Sequence, residues 1–471
     1  MATIIDLRDK LPAYGRYVIK ARAEAPDFDS SDEVSTEFVF GATIAVNGGI
    51  LTFTKCLEGV SQFEILIDGA VAGTVEYDHT DDWSFDLSTL QDDTEKHTIA
   101  VRAIDEGVSE DNLSNVITGF ISPDTAIYGV SGMYSSTVAL TRTDDAIGLG
   151  YTINTDGTVS SDFDNKFPWN RTQLVTDDYG NEFVAFPDMY FRVGVDSSRR
   201  ITDIAVSGIA HDTGTWYKVP AFWYGRYGAY LNGTLLESKS GLTRTASTTR
   251  ANFRTYAKNN GDGYHQLDLY HHTVMMFLWW IEWATKDSSS IMTGCMSGTT
   301  GSSTAMPTGG TDALTTPSGY ELTRKQMRYH YIEDFIGNYM EFVDGVYMGR
   351  AGTSYYDYAT ADPSKFGDTT TNHTKLAYPC NASYSYVTIA AFGWDSSNPF
   401  LCTPTDAVNN SSYNTYFCDR IYRTTSSTAY PVPYVGAYYY SSSAYCGLSY
   451  FNCGTAISSV AFVGSRLLKS S

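Results

Sequence analysis

The chain has 471 residues, with 53 Asp and Glu against 32 Lys and Arg, a formal charge of −21, and 14% aromatic residues that include 36 tyrosines. That length accommodates two or three domains, and the acidic balance argues against nucleic acid as a partner, because phosphate binding needs a basic footprint. No run of about 18 apolar residues offers a membrane span, so no membrane insertion is expected.

The opening, MATIIDLRDKLP, has neither an apolar core nor a small-residue cleavage site, so a protein made in a cytoplasm is expected, wherever it later works. Seven cysteines, Cys56, Cys295, Cys380, Cys402, Cys418, Cys446 and Cys453, show no CxxC spacing, so zinc and thioredoxin-type readings have no support.

From Gly41 to Pro123, short alternating segments (ATIAV, ILTFTK, QFEILIDG, TVEY, WSFDL, HTIAVRAID, SNVITGF) read as the strands of a small immunoglobulin- or fibronectin-like sandwich, with Trp83, Ile99 and Val101 in its core. The preceding Arg16 to Phe40 repeats its last two strands, aligning with Lys96 to Phe120 so that Arg22 stands over Arg102. Residues 1–40 are thus a partial domain. Its edge is completed either by a neighbouring subunit or by the sandwich of its own chain.

From Ala126 the texture turns aromatic and glycine-rich, with two expected helices. In the first, Tyr264 to Lys286, the residues Leu267, Val274, Phe277, Leu278 and Ile281 recur at the helical period as one core stripe. Asp268, His271 and His272 share a face there and read as a structural cluster in preference to a metal site, since no further histidine or HExxH pattern accompanies them. Glu282, between Trp280 and Trp283, reads as a buried, paired carboxylate. The second helix is expected over Thr323 to Met348.

The stretch from Tyr434 to Phe462 contains no Lys, Arg, Asp, Glu, His, Gln, Met, Trp or Pro. Its Tyr, Ser, Gly and Asn are the residues of an antibody-like binding surface, and equally those of a β-hairpin with a hydroxylated outer face. The candidate ligand contacts are Tyr438, Tyr440, Ser443, Tyr445, Ser449, Tyr450 and Asn452, with Leu448, Phe451 and Ile457 assigned to the core. Gly436, Gly447, Gly454 and Gly464 would set the turns, and Val463, Leu467 and Leu468 would tie the last strand down. Cys446 and Cys453 have no neighbouring cation to lower a thiol pKa, so no catalytic residue is assigned.

The run Tyr331-Ile332-Glu333-Asp334-Phe335-Ile336-Gly337-Asn338, followed by Glu341-Phe342-Val343-Asp344-Gly345, resembles the R-G-I-E-N-x-x-G-N-x-x-E-W-V-D-G block of C-type-lectin-like domains of the formylglycine-generating-enzyme type. That block recurs in phage tail proteins and in the variable proteins of diversity-generating retroelements. FDNKFPW (163–169), VPAFWYGRYGAY (219–230), SKSG (238–241) and VGSRLL (463–468) resemble the same proteins in the same order. His330-Tyr331 departs from the family's usual Arg-Gly.

The resemblance implies an immunoglobulin-like sandwich followed by an α+β C-type-lectin-like domain over 124–471, with a variable segment at 434–466. In that family, mutation of template adenines in AAY codons cannot produce Lys, Glu, Gln, Met or Trp, and all five are among the residues absent from Tyr434 to Phe462 here. The resemblance further implies a phage tail-fibre receptor-binding protein located in the virion tail. Such a protein would be a homotrimer, would contact other tail subunits through its N-terminal segment, and would recognise a protein or glycan on a bacterial surface, with no cofactor and no metal. The alternatives are a bacterial surface adhesin of the same fold, and an enzyme of the formylglycine-generating or glycan-hydrolysing type.

Overall fold

The computed structural model describes residues 15–21, 34–40, 42–47, 49–55, 60–78, 83–90, 96–104, 114, 116–120, 124–296, 304–323, 325–349, 356–380, 386–409, 415–423, 431–441, 446–454 and 459–470. Strands dominate. The chain forms two compact units, Met1–Thr125 and Ala126–Ser471.

In the first unit, alternation of apolar and polar residues builds two antiparallel sheets. One is ordered Thr43–Asn47, Ile50–Lys55, Phe85–Asp86; the other Ala70–Glu76, Gln62–Ile67, Lys96–Ile104, Ile117–Phe120. Ile44, Leu51, Phe63, Ile65, Leu87, Ile99 and Val101 form one core, as period-two patterning requires. Trp83 sits half-buried at its margin, 4.9 Å from Phe53, and its indole donates to the Glu76 carbonyl at 2.9 Å. Gly15–Ala21 pairs antiparallel with Val34–Phe40, the same arrangement that Lys96–Ile104 makes with Ile117–Phe120, so the sequence repeat is also a repeat of strand pairing.

The second unit is built around the helix Leu269–Trp283, whose N-terminus is capped by the Asp268 side chain accepting from the His271 amide. The helix is buried all round and only Tyr270 stays partly exposed, so every face is core. The expected single apolar stripe is too narrow for what the fold does. The helix also begins later than the periodicity suggests, because Tyr264–Gln266 is a strand pairing with Arg466–Ser470. Arg466–Ser470 lies between Phe222–Gly228 and Tyr264–Gln266 in a five-stranded sheet, and Leu467 and Leu468 are fully buried.

The second expected helix, Thr323 to Met348, does not form. The segment runs through the short strands Met327–Tyr329, Ile332–Glu333, Met340–Phe342 and Val346–Tyr347. Left-handed backbone at His330, Tyr331, Asp334, Gly337 and Asn338 breaks any helical path, and most of the polar side chains are taken by distant partners. Glu333 accepts from the Gly309 and Thr311 amides, both at 2.8 Å. Asn338 donates to Asp334 at 2.7 Å.

Glu341 is held by Arg466 at 2.8 Å and by Arg244. Asp344 takes Arg254 at 2.7 Å and Gln266 at 2.6 Å. Arg466, fully buried, also donates to the carbonyls of Gly225, Arg226, Glu333 and Asp334. It thereby joins the terminal strand to two other sheets.

Burial alone would push the Glu341 carboxyl up; Arg466 and Arg244 hold it below its ordinary value. A depressed folded pKa contributes stability that is present above the unfolded pKa of about 4.3 and disappears as pH falls through the folded value. Glu341→Gln is therefore expected to be less stable than the native chain at pH 7, with the difference narrowing below about pH 4.3 in urea unfolding followed across pH. Arg466→Ala, which strands a buried carboxylate, is expected to cost about 3–5 kcal/mol in the same assay.

Candidate functional site

The Tyr-rich segment contributes to a seven-stranded sheet ordered Pro404–Val408, Val387–Phe392, Arg420–Arg423, Phe451–Gly454, Val432–Val435, Met340–Phe342, Val463–Gly464. Registered residues on adjacent strands project to the same face. Tyr422 is opposite Asn452, Asn452 opposite Tyr434, and Tyr434 opposite Phe342. Tyr386, one residue before its strand, packs its ring against Tyr422 at a 33° tilt, 4.7 Å between centroids, and extends the row outward. The row passes from Tyr386, 43% exposed, to the fully packed Phe342.

A turn after Val432–Val435 carries the next aromatics. Gly436 adopts a positive φ of 86°, and Tyr438 stacks on Phe462 at 4.1 Å while its amide donates to the Ser441 hydroxyl. Tyr439 packs edge-on to Tyr339 at 5.8 Å. Tyr440 is 62% exposed. Tyr438, Tyr440 and Asn452 of the segment, with Tyr386 and Tyr422 from the neighbouring strands, are partly or fully accessible.

Two expected contacts are corrected. Tyr450 is 2% exposed and its hydroxyl accepts from Asn452 at 3.2 Å. It stands immediately before the strand Phe451–Gly454, on the Asn452 side, where it is covered rather than displayed. Ser449 is fully buried because its amide is drawn to the Asp419 carboxylate at 2.7 Å. Ser443, Tyr445 and Ile457 lie outside the described residues.

Asp419 is the residue that the sequence pattern missed. It anchors Ser449, and a Cβ on Gly447, where φ is 122°, would collide with its carboxylate. Leu448 is held in turn by the Ser288 hydroxyl at 3.0 Å. An isolated aspartate preceding a four-residue strand gives no periodic signal that could have announced this.

The histidine cluster is also rearranged. Asp268 is held by His271 at 2.8 Å and by His265 at 3.0 Å, whereas His272 turns away to pack on Phe451 at 5.8 Å. Burial lowers His272 to about 4, so it supports the terminal sheet as a neutral ring. A further histidine does accompany the cluster, contrary to the expectation from sequence: its third member, His265, three residues before Asp268, comes from the neighbouring strand.

Glu282 is buried and paired with His330 at 2.8 Å. Cys446 faces the Ser289 hydroxyl, Cys453 faces the Met348 sulfur, and burial pushes the Cys446 thiol up to about 12 and raises Cys453 as well. Neither is poised as a thiolate nucleophile.

No helix among the described residues is long and apolar enough to cross a membrane. No family model and no curated protein matches the chain. Among solved structures, the structure of PvdO from Pseudomonas aeruginosa aligns over 64% of this chain and 98% of its own at 10% identity, with a TM-score of 0.29. That superposition is too loose to assign a fold.

Tyr450→Ala empties a packed site and is expected to cost about 3–5 kcal/mol, as aromatic truncations in cores do. Tyr440→Ala is expected to change stability by less than about 0.5 kcal/mol, the range for surface substitutions. Urea titration of both variants separates the scaffold from the displayed groups. An aromatic disulfide reagent at pH 8 is expected to leave Cys446 and Cys453 unmodified in the folded protein and to label both in denaturant, read by peptide mass spectrometry.

Proposed function

We propose that the chain is a receptor-binding adhesin of a phage tail. In this reading an immunoglobulin-like front carries a C-type-lectin-like domain whose terminal segment contacts a bacterial surface receptor. The observation that carries the reading is an uncharged face of Tyr386, Tyr422, Tyr438, Tyr440 and Asn452, set on a domain whose buried ion pairs involve none of those five residues. Tyrosines offer large contact area at low entropic cost, and asparagine offers adaptable hydrogen bonding.

The ordered motif blocks from Phe163 to Leu468, similar to those of phage tail and retroelement variable proteins, point the same way. The exposed groups can change while Arg466, Glu341 and Asp344 keep the fold, which is the separation a diversifiable binder needs. Residues 1–40 would dock to other tail subunits. A homotrimer would turn three weak contacts into avidity.

The test is binding of the labelled full chain to a panel of bacterial strains, followed by flow cytometry. Saturable binding to particular strains is expected, with at least tenfold weaker binding by the folded Tyr386→Ala/Tyr440→Ala double variant. Binding to no strain, or binding indifferent to both substitutions, would remove the tyrosine face from recognition.

A further inference from the structure

Three chain segments far apart in sequence bring an imidazole and two carboxylates together inside the second unit. Asp164 belongs to the 3-10 turn Asp162–Asn165, Glu282 to the last turn of the helix Leu269–Trp283, and His330 to the two-residue connection between Met327–Tyr329 and Ile332–Glu333. One ligand-type atom from each residue lies within 4.8 Å of the others, and Glu282 and His330 are buried.

The polar accounting at this cluster is incomplete. His330 Nε2 meets Glu282 Oε2 at 2.8 Å, and Asp164 Oδ2 accepts from the Ser161 amide at 3.2 Å. Glu282 Oε1 and Asp164 Oδ1 are both buried without a hydrogen-bond partner among the described residues. A buried carboxylate oxygen lacking a donor is costly, and each of the two carboxylates beside this imidazole has one.

Arg142, the nearby cation, does not fill the gap. Its guanidinium donates to the main-chain carbonyls of Ile281 and Glu282 at 2.7 and 2.6 Å, where the C-terminal end of the helix carries partial negative charge. Tyr151 approaches through Trp283, ring to ring at 5.0 Å, and the Tyr329 hydroxyl accepts from the Trp169 indole at 3.1 Å while its own proton interacts with the Glu282 carboxylate.

The backbone also bends to deliver the histidine. His330 and Tyr331 have φ of 41° and 68°, the geometry of a tight hairpin turn that favours Asn-Gly and penalises larger side chains. Placing His-Tyr there costs conformational energy, and it puts the imidazole against Glu282 and Asp164.

We propose that Asp164, Glu282 and His330 bind one divalent transition-metal ion of the Zn²⁺, Co²⁺ or Mn²⁺ class. One imidazole and two carboxylates suit such an ion, with ligand distances of about 2.0–2.2 Å. Oε1 of Glu282 and Oδ1 of Asp164 supply the oxygens. His330 Nε2 exchanges its contact with Glu282 Oε2 for the metal. The ion would pin the 330–331 turn to the end of the helix, and the proposal holds whether or not the chain is an adhesin.

The cluster of His265, Asp268 and His271 is the internal control. There Asp268 is already served by both rings and by the His271 amide.

The test uses the full chain stripped with chelator, titrated with Zn²⁺ by calorimetry and with Co²⁺ by visible absorption. One ion per chain is expected, with a rise in Tm and no comparable effect of Mg²⁺ or Ca²⁺. His330→Asn keeps a residue tolerant of left-handed backbone, and Asp164→Asn keeps size and shape. Each is expected to weaken binding at least tenfold while the metal-free circular dichroism stays native, whereas His271→Asn leaves binding intact. Absence of Zn²⁺ and Co²⁺ uptake by the native chain, unchanged uptake in His330→Asn, or loss confined to His271→Asn would each overturn the proposal.

Discussion

The buried contact between Arg466 and Glu341 is the constraint on which the second unit depends. A guanidinium with no exposure is tolerated only when every donor has an acceptor, and Arg466 meets that condition by reaching Glu341 and four main-chain carbonyls. Those acceptors come from three regions of the chain. Their mutual positions are therefore fixed by one side chain, and the sheet containing Arg466–Ser470 cannot shift its register without leaving charges uncovered.

Ionic framework and accessible face are separate sets of residues, and this is the architectural point of functional interest. Glu341 and Asp344 draw their arginines from positions 244, 250, 254 and 466, while the tyrosine row is uncharged and leans outward from Phe342. Aromatic packing grades along that row: buried rings near Phe342 give rigidity, and Tyr386 and Tyr440 at the margin give contact area. Tyr434 belongs to the rigid part, because burial raises its hydroxyl pKa and keeps it neutral.

How much of this was legible in the sequence depended on whether the cause was local. Alternation along Gln62–Ile67 and Lys96–Ile104 is imposed by neighbouring residues, so these strands of the first unit could be read directly. The helix Leu269–Trp283 was also visible, although its burial on all sides needs partners that periodicity does not name. The block from Tyr331 to Gly345 reads as a helix in the sequence and folds as short strands, because most of its charges serve distant partners and its backbone turns through left-handed conformations.

In the Tyr-rich segment, composition announced a surface, yet Ser449 and Tyr450 are interior. Composition reports what a stretch could display. The single carboxylate of Asp419 decides which part of it is drawn in.

The insertion of Arg466–Ser470 between Phe222–Gly228 and Tyr264–Gln266 bears on biosynthesis. Chains are made from the N-terminus at roughly 5–20 residues per second, and domains tend to fold as units. A ribosome that has reached residue 440 has released all the strands flanking that slot but not the one that fills it. Glu341 at that moment has no Arg466, and the edges at 222–228 and 264–266 have no strand between them, so the second unit can close only after Arg466–Ser470 is made, while the first unit, Met1–Thr125, can already have folded.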